Sequence, residues 1–242
     1  MNIGELTLAE KKFLLSPNSN GLALYQLVLF ELLWTKNLTF KTRPSRDDYS
    51  MANAFLQLTN EDTFYEKNLI YLPLFQNFKG LRQMQVSFLL GNSFNAFDSS
   101  FKEFTKQYII KNLQKKHTFI KDNLSYKLFG KIELTKNAQA YKNQLIEETE
   151  KIVPEFSDTK KFSKEQTKQM LQKFGSSIFL VDESHLEKLD FPFPVFTALK
   201  KGLHYHTSAS GEMEEELASH YNVPNVEVWA EAFLEFCAFF ED

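Results

Sequence analysis

The chain of 242 residues is 43% hydrophobic, with 25 Phe but only 8 Gly and 7 Pro, a composition that excludes the disordered, collagen-like and disulfide-stapled classes. Cys237 is the only cysteine, so neither an intramolecular disulfide nor a thiolate-rich zinc site can form, and an oxidising compartment is not indicated. The net charge of −3 conceals an uneven layout: residues 1–99 are balanced, residues 100–173 carry +7 (16 basic, all Lys, against 9 acidic), and residues 174–242 carry −10 (3 against 13).

Leu6-Thr7-Leu8-Ala9-Glu10 opens a helix that runs to about Leu15. Thr7 is its expected N-cap, with Glu10 placed three residues on to return the hydrogen bond. A turn-forming stretch, Ser16 to Gly21, leads into a helix from Leu22 to about Lys36 that is apolar nearly all round and belongs at the centre of a fold. Asn37 to Lys41 alternates as a strand, and Thr42 to Tyr49 is polar and contains Pro44, so a β-ribbon or loop follows the central helix. Ser50 to Leu58, Asp62 to Leu72 and Leu81 to Leu90 read as helices, the second broken by Pro73 and the third ended by Gly91-Asn92.

Ser100 to Lys116 is a helix whose apolar positions are Phe101, Phe104, Tyr108 and either Ile109 or Leu113. Thr118 to Lys121 and Ser125 to Leu134 flank Asp122-Asn123 as a β-hairpin. Asn137 to Val153 is helical and stopped by Pro154, and Ser163 caps a further helix that ends at Gly175. Ile178 to Val181 is ambiguous between strand and buried helix. Phe191-Pro192-Phe193-Pro194 is an elbow, Gly211 to His220 an acidic helix, and Val226 to Phe240 a helix setting Trp229, Phe233, Phe236 and Phe240 against Glu227, Glu231 and Glu235. Cys237 lies among those phenylalanines and reads as a small buried hydrophobe.

The expected fold is mainly α: a multi-helical single domain over residues 1–242 with one or two short β-hairpins and winged-helix-like local units, because apolar helix followed by strand recurs around Phe30 to Lys41 and Ile110 to Lys121. The first ten residues lack the basic, apolar and small-residue sections of a secretory signal, and the apolar run from Leu22 to Trp34 is too short to span a bilayer. The expected location is cytoplasmic, with peripheral membrane contact as a refinement.

No phosphate-cradling Gly-rich loop, Gly-x-Ser-x-Gly elbow, His-Glu-x-x-His or Gly-x-Gly-x-x-Gly occurs, so the reading leans away from an enzyme and implies no cofactor. One metal constellation is available on paper: His204 and His206 share a face if extended, and Glu216 and His220 share a helical face. The stronger candidate is a basic helix-hairpin surface formed by Lys106, Lys111, Lys115, Lys116, Lys121, Lys127 and Lys131, interleaved with Phe119, Tyr126 and Phe129. Such a surface suits anionic phospholipid headgroups, an acidic protein surface or nucleic acid phosphates. Its charge also complements the acidic C-terminal third, within one chain or between copies in a homo-oligomer.

Leu6-Thr7-Leu8-Ala9-Glu10, Leu14-Leu15, the apolar helix ending in Glu31-Leu32-Leu33, Lys111-Asn112-Leu113-x-x-Lys116 and the helix from Tyr141 to Ile152 together resemble the Golgi phosphoprotein 3-like family in order and spacing. The resemblance implies a helical fold and peripheral phosphoinositide binding of the kind its eukaryotic members perform. Where that family carries an Arg after the central helix this chain has Asn37, and where it has two Arg before the hairpin this chain has Glu103 and Lys106. The resemblance therefore implies binding to anionic headgroups in general.

Overall fold

The computed structural model describes residues 6–19, 21–44, 52–59, 69–85, 89, 92–93, 95–97, 100–121, 132–157, 161–186 and 188–189. These residues are mainly helical, with one three-stranded antiparallel sheet. The chain divides into two compact units, one of residues 1–31 and 100–190, the other of residues 32–99 and 191–242.

In the first unit α1 (Leu8–Leu15) begins at the expected reciprocal cap: the Thr7 hydroxyl accepts the Glu10 N–H at 3.2 Å and the Glu10 carboxylate accepts the Thr7 N–H at 2.9 Å. α2 (Gly21–Trp34) follows, and Leu24, Tyr25, Val28 and Phe30 on it are buried. Tyr25 packs against Phe101 and Phe104 at ring separations of 5.3 and 5.2 Å, and Phe30 stacks on Phe179 at 5.6 Å. Aromatic pairs at these spacings hold a core in one arrangement. A continuous helical run follows: α4 (Phe101–Phe104), a π-helical stretch (Thr105–Ile110) and α5 (Lys111–Lys115).

Thr118, in the left-handed region at φ 52°, then reverses the chain. Ile120 bridges Leu134 in antiparallel fashion, where the ends of the expected hairpin meet; residues 122–131 between them lie outside the described residues. α6 (Lys136–Ile152) buries Ala138, Tyr141, Leu145 and Ile152 on one stripe, and Pro154 converts its end to a 3-10 turn (Val153–Phe156). α7 (Lys164–Phe174) starts at the expected Ser163–Gln166 box and ends at Gly175. The ambiguous run around Ile178 resolves as a buried 3-10 helix (Gly175–Leu180), followed by the short α8 (Glu183–Leu186). Lys12 donates to the Leu180 and Val181 carbonyls at 2.8 and 2.9 Å, satisfying acceptors exposed at that helix end.

The second unit corrects several expectations. Of the two readings for the stretch after the central helix, ribbon or loop, strand β1 (Leu38–Pro44) is the ribbon as far as Pro44, residues 45–51 lying outside the described residues; residues 52–58, expected to be helical, form strand β2 (Ala52–Leu58). The two pair antiparallel from Leu38↔Leu58 to Pro44↔Ala52. The physical reason is period 2: Ala52, Ala54, Leu56 and Leu58 alternate with Asn53, Phe55 and Gln57, and Leu38 and Leu58 are both buried across the ladder. The helix expected from Leu81 begins instead with strand β3 (Gln83–Gln85), whose buried Met84 lies opposite buried Leu56. Most of the helix expected from Asp62 to Leu72, residues 62–68, lies outside the described residues; residues 69–71 form a turn, and Pro73 is not the residue that ends a helix there. It stands in the first turn of α3 (Leu72–Asn77), where its missing N–H costs nothing. Leu74, Phe75 and Phe78 carry α3 into the core of this unit with Ile70, Leu89 and Phe97.

The elbow at residues 191–194, the acidic helix at 211–220 and the helix at 226–240 with Cys237 lie outside the described residues.

Candidate basic surface

The run from Phe101 to Lys115 presents two faces, and both change step at the same place. Apolar positions Phe101, Phe104, Ile109 and Leu113 are buried, and Lys102, Lys106, Lys111 and Lys115 are exposed. In an ordinary α-helix residues five apart lie about 140° from one another, so Lys111 would point well away from Lys106 and Ile109 away from Phe104. The π-helical stretch removes the conflict, because its wider turn takes one more residue and brings i and i+5 close to one line. Ile109 and Leu113 are thus both core residues, Tyr108 is half-buried beside Phe104, and the four lysines share one side of the helix.

Several interactions hold that helix in place. The Thr105 hydroxyl donates to the Phe101 carbonyl at 3.3 Å, and the start of α2 lies against the same carbonyl, where a Cβ on Gly21 would collide. At the other end, Asn112 is buried and its Nδ2 donates to Glu10 Oε1 at 2.7 Å. Glu10 is fully buried. Its Oε2 accepts from both the backbone N–H and the hydroxyl of Thr7, and His117 Nε2 lies 3.7 Å from Oε1. Burial pushes the Glu10 carboxyl above its ordinary range, overcoming the opposing hydrogen bonds from Thr7 and Asn112 and the field of Lys116. Tyr141, close enough to feel Glu10 and Glu148, is pushed up to about 12, chiefly by its own burial. This polar cluster ties α1 to the basic end of the lysine helix.

The structure sorts the sequence-predicted lysines. Lys106 is 62% exposed but pairs with Glu103 at 3.4 Å, and Lys121 pairs with Glu133 at 3.5 Å. Gln107 and Lys106 hold the Glu103 carboxyl below its usual range, so it stays charged beside the stripe. Exposed pairs of this kind are weak and open readily. Lys111, Lys115 and Lys116 are exposed at the helix end and have no ion pair among the described residues. Lys102 joins the same face and was not among the expected site residues, although its four-residue spacing to Lys106 was readable. Lys127 and Lys131 lie outside the described residues, as do His204, His206, Glu216 and His220 of the metal constellation. Among the described residues no three His, Cys, Asp or Glu side chains are grouped to hold a metal, and no helix is long and apolar enough to cross a membrane.

In comparisons with protein-family models, curated proteins and solved structures, nothing matches this chain.

Proposed function

We propose that this chain is a binding or adaptor protein that meets anionic phospholipid headgroups peripherally, through the face carrying Lys102, Lys106, Lys111 and Lys115, with Lys116 exposed at the end of the same helix. The observation that carries the reading is the π-helical stretch, which aligns lysines that a regular helix would scatter. Lysine suits such a surface, because a hydrated point charge on a flexible stem follows a fluid, diffuse array of anions without demanding one fixed geometry. Each cation held near the headgroups contributes about 1 kcal/mol, so the four not paired to Glu103 supply about 4 kcal/mol, roughly a thousandfold in partition. The resemblance to the Golgi phosphoprotein 3-like family supports the same direction, although of its three Arg positions only Lys106 keeps the charge, Asn37 and Glu103 standing at the others, and hence with less selectivity among headgroups.

The test is co-sedimentation of the full chain with vesicles of phosphatidylcholine alone and of phosphatidylcholine with phosphatidylserine. Retention only on the second, weakening as salt is raised, is expected. Equal partitioning removes the proposal, and salt-steep binding to duplex DNA without any vesicle preference assigns the lysines to nucleic acid phosphates instead.

A further inference from the structure

In the second unit, the two most exposed large apolar side chains among the described residues stand at the two ends of one short helix. Leu69 precedes α3 and is 60% exposed; Leu81 follows it and is 51% exposed. A single exposed leucine is ordinary on a protein surface. Two such residues flanking a helix that rises only about 9 Å are less so, given what surrounds them.

The turn of residues 78–81 is built to hold its leucine outward. The Leu81 N–H donates to the Phe78 carbonyl at 2.7 Å, and Gly80, at φ 78°, occupies the left-handed position that closes such a turn. Both flanks are anchored: Phe78 is buried in the core of the unit, and the Arg82 carbonyl accepts the Leu58 N–H at 3.2 Å. The tip itself is open, since a Cβ placed on Gly80 would meet no atom within 4 Å. Lys79 and Arg82, both exposed, bracket Leu81. The chain has no Asp or Glu between Glu66 and Asp98, so no acidic residue from the same stretch offsets these cations.

We infer that this turn is a second membrane contact, in which Leu81 enters the acyl boundary of an anionic bilayer while Lys79 and Arg82 meet the headgroups. An apolar tip between cations is complementary to a surface that is negative outside and hydrocarbon just beneath. The complementary charge, together with a tip anchored on both sides, favours a bilayer as the occupant over a protein groove. The inference stands on residues of the second unit and does not depend on the lysine stripe of the first.

The experiment places an environment-sensitive nitrobenzoxadiazole label on Leu81→Cys in a Cys237→Ser background of the full chain, with Gln169→Cys on exposed α7 as the control. On phosphatidylserine-containing vesicles the label at position 81 shifts to the blue and is quenched by lipids spin-labelled near the headgroup end of the acyl chain, and the control label does neither. Leu81→Ser weakens partition about fivefold, and Lys79→Gln with Arg82→Gln about thirtyfold. Circular dichroism matching the parent chain shows that these surface variants fold. A label that stays in water while the chain is vesicle-bound overturns the inference and leaves the turn to a protein partner. Charge reversal of Lys111 and Lys115 separates the two readings. If it abolishes binding and the label on the chain with the stripe intact stays in water while that chain is vesicle-bound, the stripe stands and the turn falls; if binding and the blue shift persist, the turn stands and the stripe falls.

Discussion

Asn112→Ala removes the buried donor that faces Glu10 Oε1 at 2.7 Å, and its effect follows from burial on both sides. A hydrogen bond to a charged group contributes about 1.5–3 kcal/mol, and removing the donor also leaves the carboxyl less compensated in a site that already disfavours its charge. Glu10→Gln perturbs the same contact from the other end. Its amide oxygen can keep the Thr7 donors, but its NH2 then faces the NH2 of Asn112. Urea denaturation of the two single variants and the double variant is expected to give a coupling energy of about 1.5–3 kcal/mol. The pH dependence adds a second reading with a definite sign. Because the native carboxyl holds its proton more tightly than the unfolded one, whose ordinary value is 4.5, the Glu10 contribution is complete below that pH. It declines as pH rises through the native value. The stability gap between the parent chain and Glu10→Gln should therefore shrink as pH climbs from 4.5 towards neutrality. A coupling under about 0.5 kcal/mol, the tolerance expected of independent sites, or a gap that is flat or grows with pH, would refute this account of the cluster.

Gly21→Ala drives a methyl group into the Phe101 carbonyl and should cost about 1–3 kcal/mol, seen as a lower Tm in thermal denaturation; an unchanged Tm would mean that α2 and the lysine helix do not approach as described. Ser163→Ala removes one half of the cap on α7 and should cost about 1 kcal/mol in urea denaturation, whereas Ser163→Asp should be nearly neutral. Tyr141, with its phenol pushed up to about 12, should remain un-ionised where free tyrosines titrate. The ultraviolet titration of Tyr141→Phe should therefore lose amplitude only well above pH 10, and loss of amplitude near pH 10 would contradict its buried placement.

Local chemistry was the most legible part of this chain. Both reciprocal caps, the stop at Pro154 and the reversal at Gly175 follow from residues three or four apart, and the structure places them as read. Residues 52–58 mislead because Ala, Leu and Gln favour helices, and that preference outweighs a clear alternation whose partner strand lies fourteen and more residues away in most pairs. Pro73 carries two meanings, helix breaker and helix starter, and only the turn preceding α3 distinguishes them. In the candidate surface, the lysines themselves were plain. The device that aligns them was also readable: apolar and basic positions both step by five between residues 104 and 111, which leaves the choice between Ile109 and Leu113 undecidable for a regular helix and natural for a π-helical one. Glu10 was the opposite case. Its sequence neighbourhood accounts fully for it as a capping residue, and nothing local announces a partner 102 positions away.

The central claim, that aligned lysines and not net charge alone address this chain to an anionic surface, is tested most directly by moving the same charge change around the first unit. Lys111→Glu with Lys115→Glu and Lys151→Glu with Lys161→Glu alter net charge identically, and all four side chains are exposed. Measured on phosphatidylserine vesicles at one salt concentration, the stripe pair should lose at least about thirtyfold in partition from two lost cations, and the distant pair should change it by no more than a fewfold. Equal losses from both pairs would contradict the account.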